Sequence, residues 1–298
     1  MMQQYDTIII GGGTAGLTAA LYLRRENKRV MLLEKEGFGG QILYAPRVEN
    51  YPGFLSVGGA EFIDRLLEQV ENLGTDYSLE EVLRVEKTAD NAFAVHTDSG
   101  LYGARTVVLA TGLVRRRLDV PGEDALIGRG VSYCAVCDGA FYRGMTATVA
   151  GGGNTALSDV LHLADYCTTV NLVHRRTAFR AEHALVERVK ALANVRLYLD
   201  ETVTGLRTAD GKLAALTLRH TKTGAATDLA TDGLFVSVGK LPQNAAFAPL
   251  VALDEAGYII ADENTRTSCP GVFAAGDCRT KRIRQLTTAA ADGTAAAL

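Results

Sequence analysis

Cys134 and Cys137 stand three positions apart, with Asp138 beside the second thiol and Gly139 after it. Two thiols at that separation can close a disulfide across one turn. Each is then near enough to resolve a mixed disulfide formed by the other. Asp138 could hand a proton to a departing thiolate, a service that a purely structural disulfide does not need. Half of a zinc site, or two buried thiols, would use the same residue types. A four-ligand zinc knot wants a second close pair. Among Cys167, Cys269 and Cys278, no two stand two to four residues apart. The pair alone leaves redox, metal and packing readings open, and the flanking chain bears on the choice.

The second chemical signal is a pair of glycine turns. Gly11-Gly12-Gly13-Thr14-Ala15-Gly16 follows the apolar run Thr7 to Ile10 and precedes a helical run from Leu17 to Arg25. In a strand–GxGxxG–helix unit the first glycine allows the tight turn. The second lets a pyrophosphate approach, and the third lets helix pack on strand. The helix N-terminus adds donors and a positive dipole end. Arg29 to Leu33 reads as the next strand, and it ends at Glu34, where a carboxylate would meet ribose hydroxyls. The pattern recurs as the strand Ala147 to Ala150, the turn Gly151-Gly152-Gly153-Asn154-Thr155-Ala156 and the helix Leu157 to Ala164. Ala156 takes the third glycine's place, which the fingerprint permits. Gly11 to Glu34 spans 23 positions, and Gly151 to His174 spans 23 as well. This internal repeat is the strongest feature of the chain.

The two copies end differently. The first closes on an acid, suited to free ribose hydroxyls. The second closes on His174-Arg175-Arg176, with Arg180 four further on. Arginines there suit a 2′-phosphate through charge-assisted, forked hydrogen bonds, whereas a solvated basic patch would use the same residues. The first unit is therefore expected to hold the adenosine half of FAD, and the second NADPH.

These groups need a scaffold, and the apolar pattern supplies one. Ala60 to Asn72 reads as an amphipathic helix with Phe62, Leu66, Leu67 and Val70 on one face. Thr106 to Ala110 reads as a buried strand running into Thr111-Gly112, and Gly233 to Gly239 as another. Gly271 to Asp277 reads as a strand and turn ending in an acid, followed by Arg284-Gln285 and an alanine-rich helix to Leu298. Cys167 and Cys278 are expected as small packing residues. With 298 residues, the chain is long enough for two domains with real cores. A net charge of -3 gives no electrostatic footprint for nucleic acid or an anionic membrane. No apolar run approaches the roughly 20 residues of a membrane span. The start, Met1 to Asp6, runs directly into a strand without a leader pattern. A cytoplasmic protein with one catalytic disulfide is expected.

Taken in order, Gly11 to Gly16, Gly39-Gly40-Gln41, Val48 to Gly53, Ala110 to Gly112, Cys134 to Gly139, Gly151 to Ala156, His174 to Arg180, Gly271 to Asp277 and Arg284-Gln285 carry a family resemblance. The chain resembles the low-molecular-weight, bacterial-type thioredoxin reductases of the pyridine nucleotide-disulfide oxidoreductase family over essentially its whole length. The resemblance implies an α/β fold of two Rossmann-like nucleotide-binding domains, each a parallel sheet with helices plus a small antiparallel sheet. It implies an FAD domain made of residues 1–114 and 244–298, and an inserted NADPH domain of residues 115–243 that carries the disulfide. The functional unit would be a homodimer with one FAD per subunit and no metal site. Electrons would pass from NADPH to FAD, then to Cys134–Cys137, then to thioredoxin or a thioredoxin-like protein.

Residue by residue, the resemblance implies FAD contacts at Gly11, Gly13, Thr14, Ala15, Gly16, Glu34, Lys35, Gly40, Gln41, Asn50, Ala110, Thr111 and Gly112. Further along it adds Gly276, Asp277, Arg284, Gln285 and Leu286. It implies NADPH contacts at Gly151, Gly153, Asn154, Thr155, Ala156, His174, Arg175, Arg176 and Arg180. Cys137 would lie nearer the flavin, Cys134 would attack the partner's disulfide, and Asp138 would be the proton-donating acid. Thr14 departs from the family's usual proline, and Lys240-Leu241 from its usual crossover residues. A relative fed by ferredoxin or a reduced flavoprotein, or working as a dithiol oxidase, tends to lose the arginine motif. A flavin redox sensor without turnover would need no second nucleotide site such as the Gly151 to Arg180 stretch.

Overall fold

The computed structural model describes residues 3–45 and 48–298. Met1 and Met2, read as the lead into the first strand, lie outside the described residues, as do Pro46 and Arg47. The chain forms two units, one of Met1–Val114 with Leu241–Leu298 and the other of Arg115–Lys240. The return crossing, expected after residue 243, lies at Lys240–Leu241. Gln243 sits with the first unit, where its Oε1 accepts from Lys35 Nζ at 2.7 Å.

The first unit is built on β1 (Gln3–Ile10), α1 (Thr14–Arg25), β2 (Val30–Glu34), α2 (Gly59–Asn72), β3 (Asp76–Leu79), β4 (Val82–Lys87), β5 (Phe93–Thr97) and β6 (Leu101–Leu109). β1 is central because Ile8, Ile9 and Ile10 are buried on both sheet faces, the continuous apolar run typical of a parallel strand. It pairs in parallel with β2 and β6, and β2 with β3. β6 changes partner along its length. Leu101 to Ala104 pairs antiparallel with β5, while Val107 to Leu109 pairs in parallel with a late strand, Val272–Ala274. The antiparallel strands of this unit therefore continue its parallel sheet.

The crossing segments are β7 (Val114–Arg115) and, later, Lys240–Leu241. The second unit then runs through β8 (Val131–Ser132), α3 (Ala135–Asp138), β9 (Thr146–Gly151), α4 (Asn154–Ala164), β10 (Thr169–His174), α5 (His183–Lys190) and β11 (Val195–Leu199). It continues with β12 (Glu201–Ala209), β13 (Lys212–His220), β14 (Ala226–Ala230) and β15 (Gly233–Ser237). Its parallel sheet has the order β11-β10-β9-β15-β8, and β12-β13-β14 form a separate antiparallel sheet. β16 (Lys240–Leu241), β17 (Val272–Ala274) and α6 (Leu286–Ala297) complete the chain. α6 packs closely on α1 because its residues are small. A Cβ on Gly293 would come within 2.3 Å of the Ala15 carbonyl oxygen. Cys167 and Cys278 are both buried among apolar side chains, as expected.

Candidate functional site

In the first unit three loops converge on the N-terminus of α1. Gly11 adopts φ +110°, and a Cβ there would meet the Ala110 carbonyl oxygen at 2.3 Å, so glycine is required for the turn to lie against Ala110. Gly39 N donates to Gly12 O at 2.8 Å, which brings Gly40 beside Gly13. A Cβ on Gly276 would touch Ala15 at 2.9 Å, so the turn after β17 reaches the same place. Gly16 must lack a side chain, since a Cβ would lie 1.9 Å from the Gly11 carbonyl oxygen. Gly13 is different. A Cβ there would meet nothing nearer than Gly39 O at 3.9 Å, and no side chain caps the helix that Gly13 begins. Open space in front of uncapped N–H groups fits a pyrophosphate. Thr14 and Ala15 are buried in the helix behind it.

Glu34 ends β2 with its carboxylate turned to the glycine turn, accepting from Gly12 N at 2.7 Å and from Lys35 N at 2.9 Å. Glu36 N donates to it as well, at 3.1 Å, and a carboxylate has about four acceptor positions, so one remains for a ribose hydroxyl. The chain ends of this unit also meet. Asn50 Nδ2 donates to Gln285 Oε1 at 3.2 Å, Arg284 Nε lies 3.4 Å from the Asp277 carbonyl oxygen, and Leu286 opens α6. Thr111 Oγ1 donates to Asn244 Oδ1 at 2.8 Å, with Gly112 following at φ +62°. Asn244 was not singled out from sequence. It is almost fully buried and donates through Nδ2 to Gly257 O and Cys278 O, each at 2.9 Å. One amide thus ties the turn after β6 to the turn after β17, and its only sequence signal was a polar residue two places after Pro242.

The second unit holds a pocket of about 520 Å³ at the carboxyl ends of β9, β10 and β15. Gly151, Gly153, Thr155, His174, Arg175 and Arg180 line it. Gly153 begins α4 with no side-chain cap and open space where a Cβ would stand, the same arrangement as Gly13. The arginine loop is locked to this turn, because Arg180 N donates to Gly152 O at 2.8 Å. The His174 ring lies over Gly152, where a Cβ would come within 2.1 Å of it. Its Nε2 faces Ala178 O at 3.1 Å and must carry the hydrogen, since a carbonyl only accepts. Burial, with Arg180, Arg175 and Arg176 nearby, pulls His174 below the usual histidine range, against the Ala178 hydrogen bond. The ring is therefore neutral at pH 7 and packs, while the arginines carry the charge.

Three expected residues stand apart from the lining. Arg176 is exposed outside the pocket, and Ala156 is buried within α4. Asn154 pairs with Glu182, donating from Nδ2 at 2.9 Å and accepting from Glu182 N at 2.8 Å. Sequence reasoning missed Arg115, Arg116 and Arg117, which line the same pocket with Tyr133. The arginine run was visible, but it sits in no motif.

In that same unit Cys134 and Cys137 are joined as a disulfide with Cα atoms 5.3 Å apart. Cys134 caps α3, accepting from Cys137 N at 3.2 Å. Gly139 lets the turn settle on α4, since a Cβ would meet Leu163 at 3.0 Å. Ser132, also unforeseen, donates to Asp138 Oδ2 at 2.5 Å and receives Cys134 N at 3.0 Å. A single buried hydroxyl therefore orients both the cysteine turn and its neighbouring acid. Among the described residues no cluster of three metal-ligating side chains is present, and no helix is long and apolar enough to cross a membrane.

Comparison with known proteins identifies the family. Residues 5–293 match the family model described as pyridine nucleotide-disulphide oxidoreductase. The chain is 39% identical to a thioredoxin reductase of Treponema pallidum, over all of this chain and 96% of that one. It is 40% identical to a thioredoxin reductase of Bacillus subtilis, over 98% and 92% of the two chains. The crystal structure of Lactococcus lactis thioredoxin reductase superposes with a TM-score of 0.88 at 38% identity, covering 98% of this chain and 96% of that one.

Proposed function

Since the chain belongs to the pyridine nucleotide-disulphide oxidoreductase family, we propose that it is an NADPH-dependent thioredoxin-disulfide reductase carrying FAD. The observation that carries this reading is one unit holding both the Cys134–Cys137 disulfide, with Asp138 beside it, and an arginine-rimmed glycine-turn pocket.

FAD, when bound, supplies the two-electron link between NADPH and the disulfide. In our reading the unit of residues 1–114 and 241–298 holds it. Gly13 and the start of α1 receive its pyrophosphate, and Glu34 its ribose. The turns bearing Gly40, Thr111, Gly276 and Asp277, with Asn50, Arg284 and Gln285, enclose the rest. In the other unit Arg175 and Arg180 bind the 2′-phosphate of NADPH, and Gly153 with α4 binds its pyrophosphate. Reduction of the disulfide takes two electrons and two protons. Asp138 holds a proton for the thiolate, and Ser132 keeps its carboxyl group aimed. Cys134 Sγ then attacks the disulfide of thioredoxin, and Cys137 Sγ resolves the mixed disulfide. The reading includes a homodimer working in the cytoplasm, where protein disulfides are continually reduced.

The test is steady-state reduction of thioredoxin by NADPH. Turnover is expected for the wild type, and its absence with FAD bound overturns the reading.

A further inference from the structure

Ser237 closes β15 opposite Gly151 at the end of β9, and it lines the same pocket as Arg175 and Arg180. The strand order puts β10, with its arginines, on one side of β9 and β15 on the other. A dinucleotide with its 2′-phosphate on the arginines and its pyrophosphate at Gly153 must therefore carry its nicotinamide half over the end of β15. Ser237 is the hydroxyl met there. Its proton is already committed, because Oγ donates to Oδ2 of Asp159 on the second turn of α4. What remains toward the pocket is the oxygen's lone pairs.

We propose that Asp159 is a positioning residue that holds Ser237 as an acceptor only, so that the pocket reads the carboxamide N–H and ribose O–H donors of the nicotinamide half. This rests on the NADPH reading above. Protonation of Asp159 reverses the pair. The carboxyl O–H donates to Ser237 Oγ, the serine proton turns to the pocket, and a donor then faces donors. Burial lifts Asp159 to about 6, against the Ser237 hydrogen bond and the charge of Arg115. Along β9 and β15, which pack on α4, no side chain titrates. Among the other elements packed on α4, β10 ends in His174, α3 brings Asp138, and Tyr142 follows it. α5 brings His183, Glu187, Arg188 and Lys190.

The experiment is equilibrium titration of the FAD-loaded protein with NADP⁺ and, separately, with adenosine 2′-monophosphate, which shares the 2′-phosphate and lacks the pyrophosphate and the nicotinamide half. The ratio of the two affinities cancels titration of the 2′-phosphate and of groups near it. In the wild type that ratio is expected to rise about three- to tenfold in favour of NADP⁺ between about pH 5 and pH 7.5, the worth of one hydrogen bond. Ser237→Ala and Asp159→Asn are expected to flatten it while binding adenosine 2′-monophosphate as the wild type does. A dependence that survives in Ser237→Ala would come from charge on the nicotinamide ring and overturns the proposal. So does a flat wild-type ratio with both nucleotides bound, which leaves the NADPH reading standing. A wild type that binds neither nucleotide overturns both.

Discussion

At the scale of single residues, chemistry-bearing types were legible where their spacing is itself the chemistry. Cys134, Cys137 and Asp138 need only the chain to bring them together. Ser132 was not legible, since its hydrogen bonds to Asp138 and to Cys134 N exist only once β8 and α3 are in place. Cys134→Ser and Cys137→Ser are each expected to abolish thioredoxin reduction while FAD stays bound and NADPH still bleaches it. Wild-type turnover in either variant would remove the pair from the relay. Ser132→Ala and Asp138→Asn are expected to slow the proton-dependent step, lowering kcat with the KM for NADPH unchanged. A normal kcat in Asp138→Asn would leave the acid without a role.

At the scale of elements, both glycine turns could be read in advance because a strand, a sharp turn and a helix leave a fixed pattern. Which arginine faces the pocket could not be read, because that depends on how the loop from His174 to Arg180 folds back on Gly152. The finished loop separates Arg175 and Arg180 from Arg176. Arg175→Ala and Arg180→Ala are each expected to raise the KM for NADPH roughly tenfold and to leave NADH use nearly unchanged, whereas Arg176→Ala changes little. Equal losses with both nucleotides would show that the arginines do not read the 2′-phosphate.

The links between distant loops were equally hidden. Asn244→Ala strips partners from Gly257 O and Cys278 O in a buried place, and a loss of about 1–3 kcal/mol is expected in thermal unfolding. On α6, buried Asp292 accepts from Gly276 N, Arg279 and Lys281. Burial works to raise its pKa, but the two cations hold it below the usual carboxylate range. Its contribution is then present above the ordinary carboxylate pKa and lost as pH falls through the lowered one. Asp292→Asn is expected to flatten the acid limb of a stability–pH profile and to loosen the turn at Gly276. An unchanged acid limb would place the acid sensitivity elsewhere.

For the whole molecule, the internal repeat pointed to two strand–turn–helix units of one kind, because the glycine turn and the end of the next strand stand 23 residues apart in both. The exact return point was less visible. Lys240 and Leu241 carry no linker composition, and Gln243 is drawn to the first unit by a contact with Lys35 that sequence separation conceals. The central claim is that electrons run from NADPH through FAD into the Cys134–Cys137 pair. Anaerobic titration of the FAD-loaded protein with NADPH, followed by counting the thiols formed in the absence of thioredoxin, tests it most directly. The wild type is expected to gain two new thiols at Cys134 and Cys137 as NADPH is consumed, with Cys137→Ser gaining none and consuming correspondingly less. Bleaching of the flavin in the wild type with the disulfide left intact would contradict it.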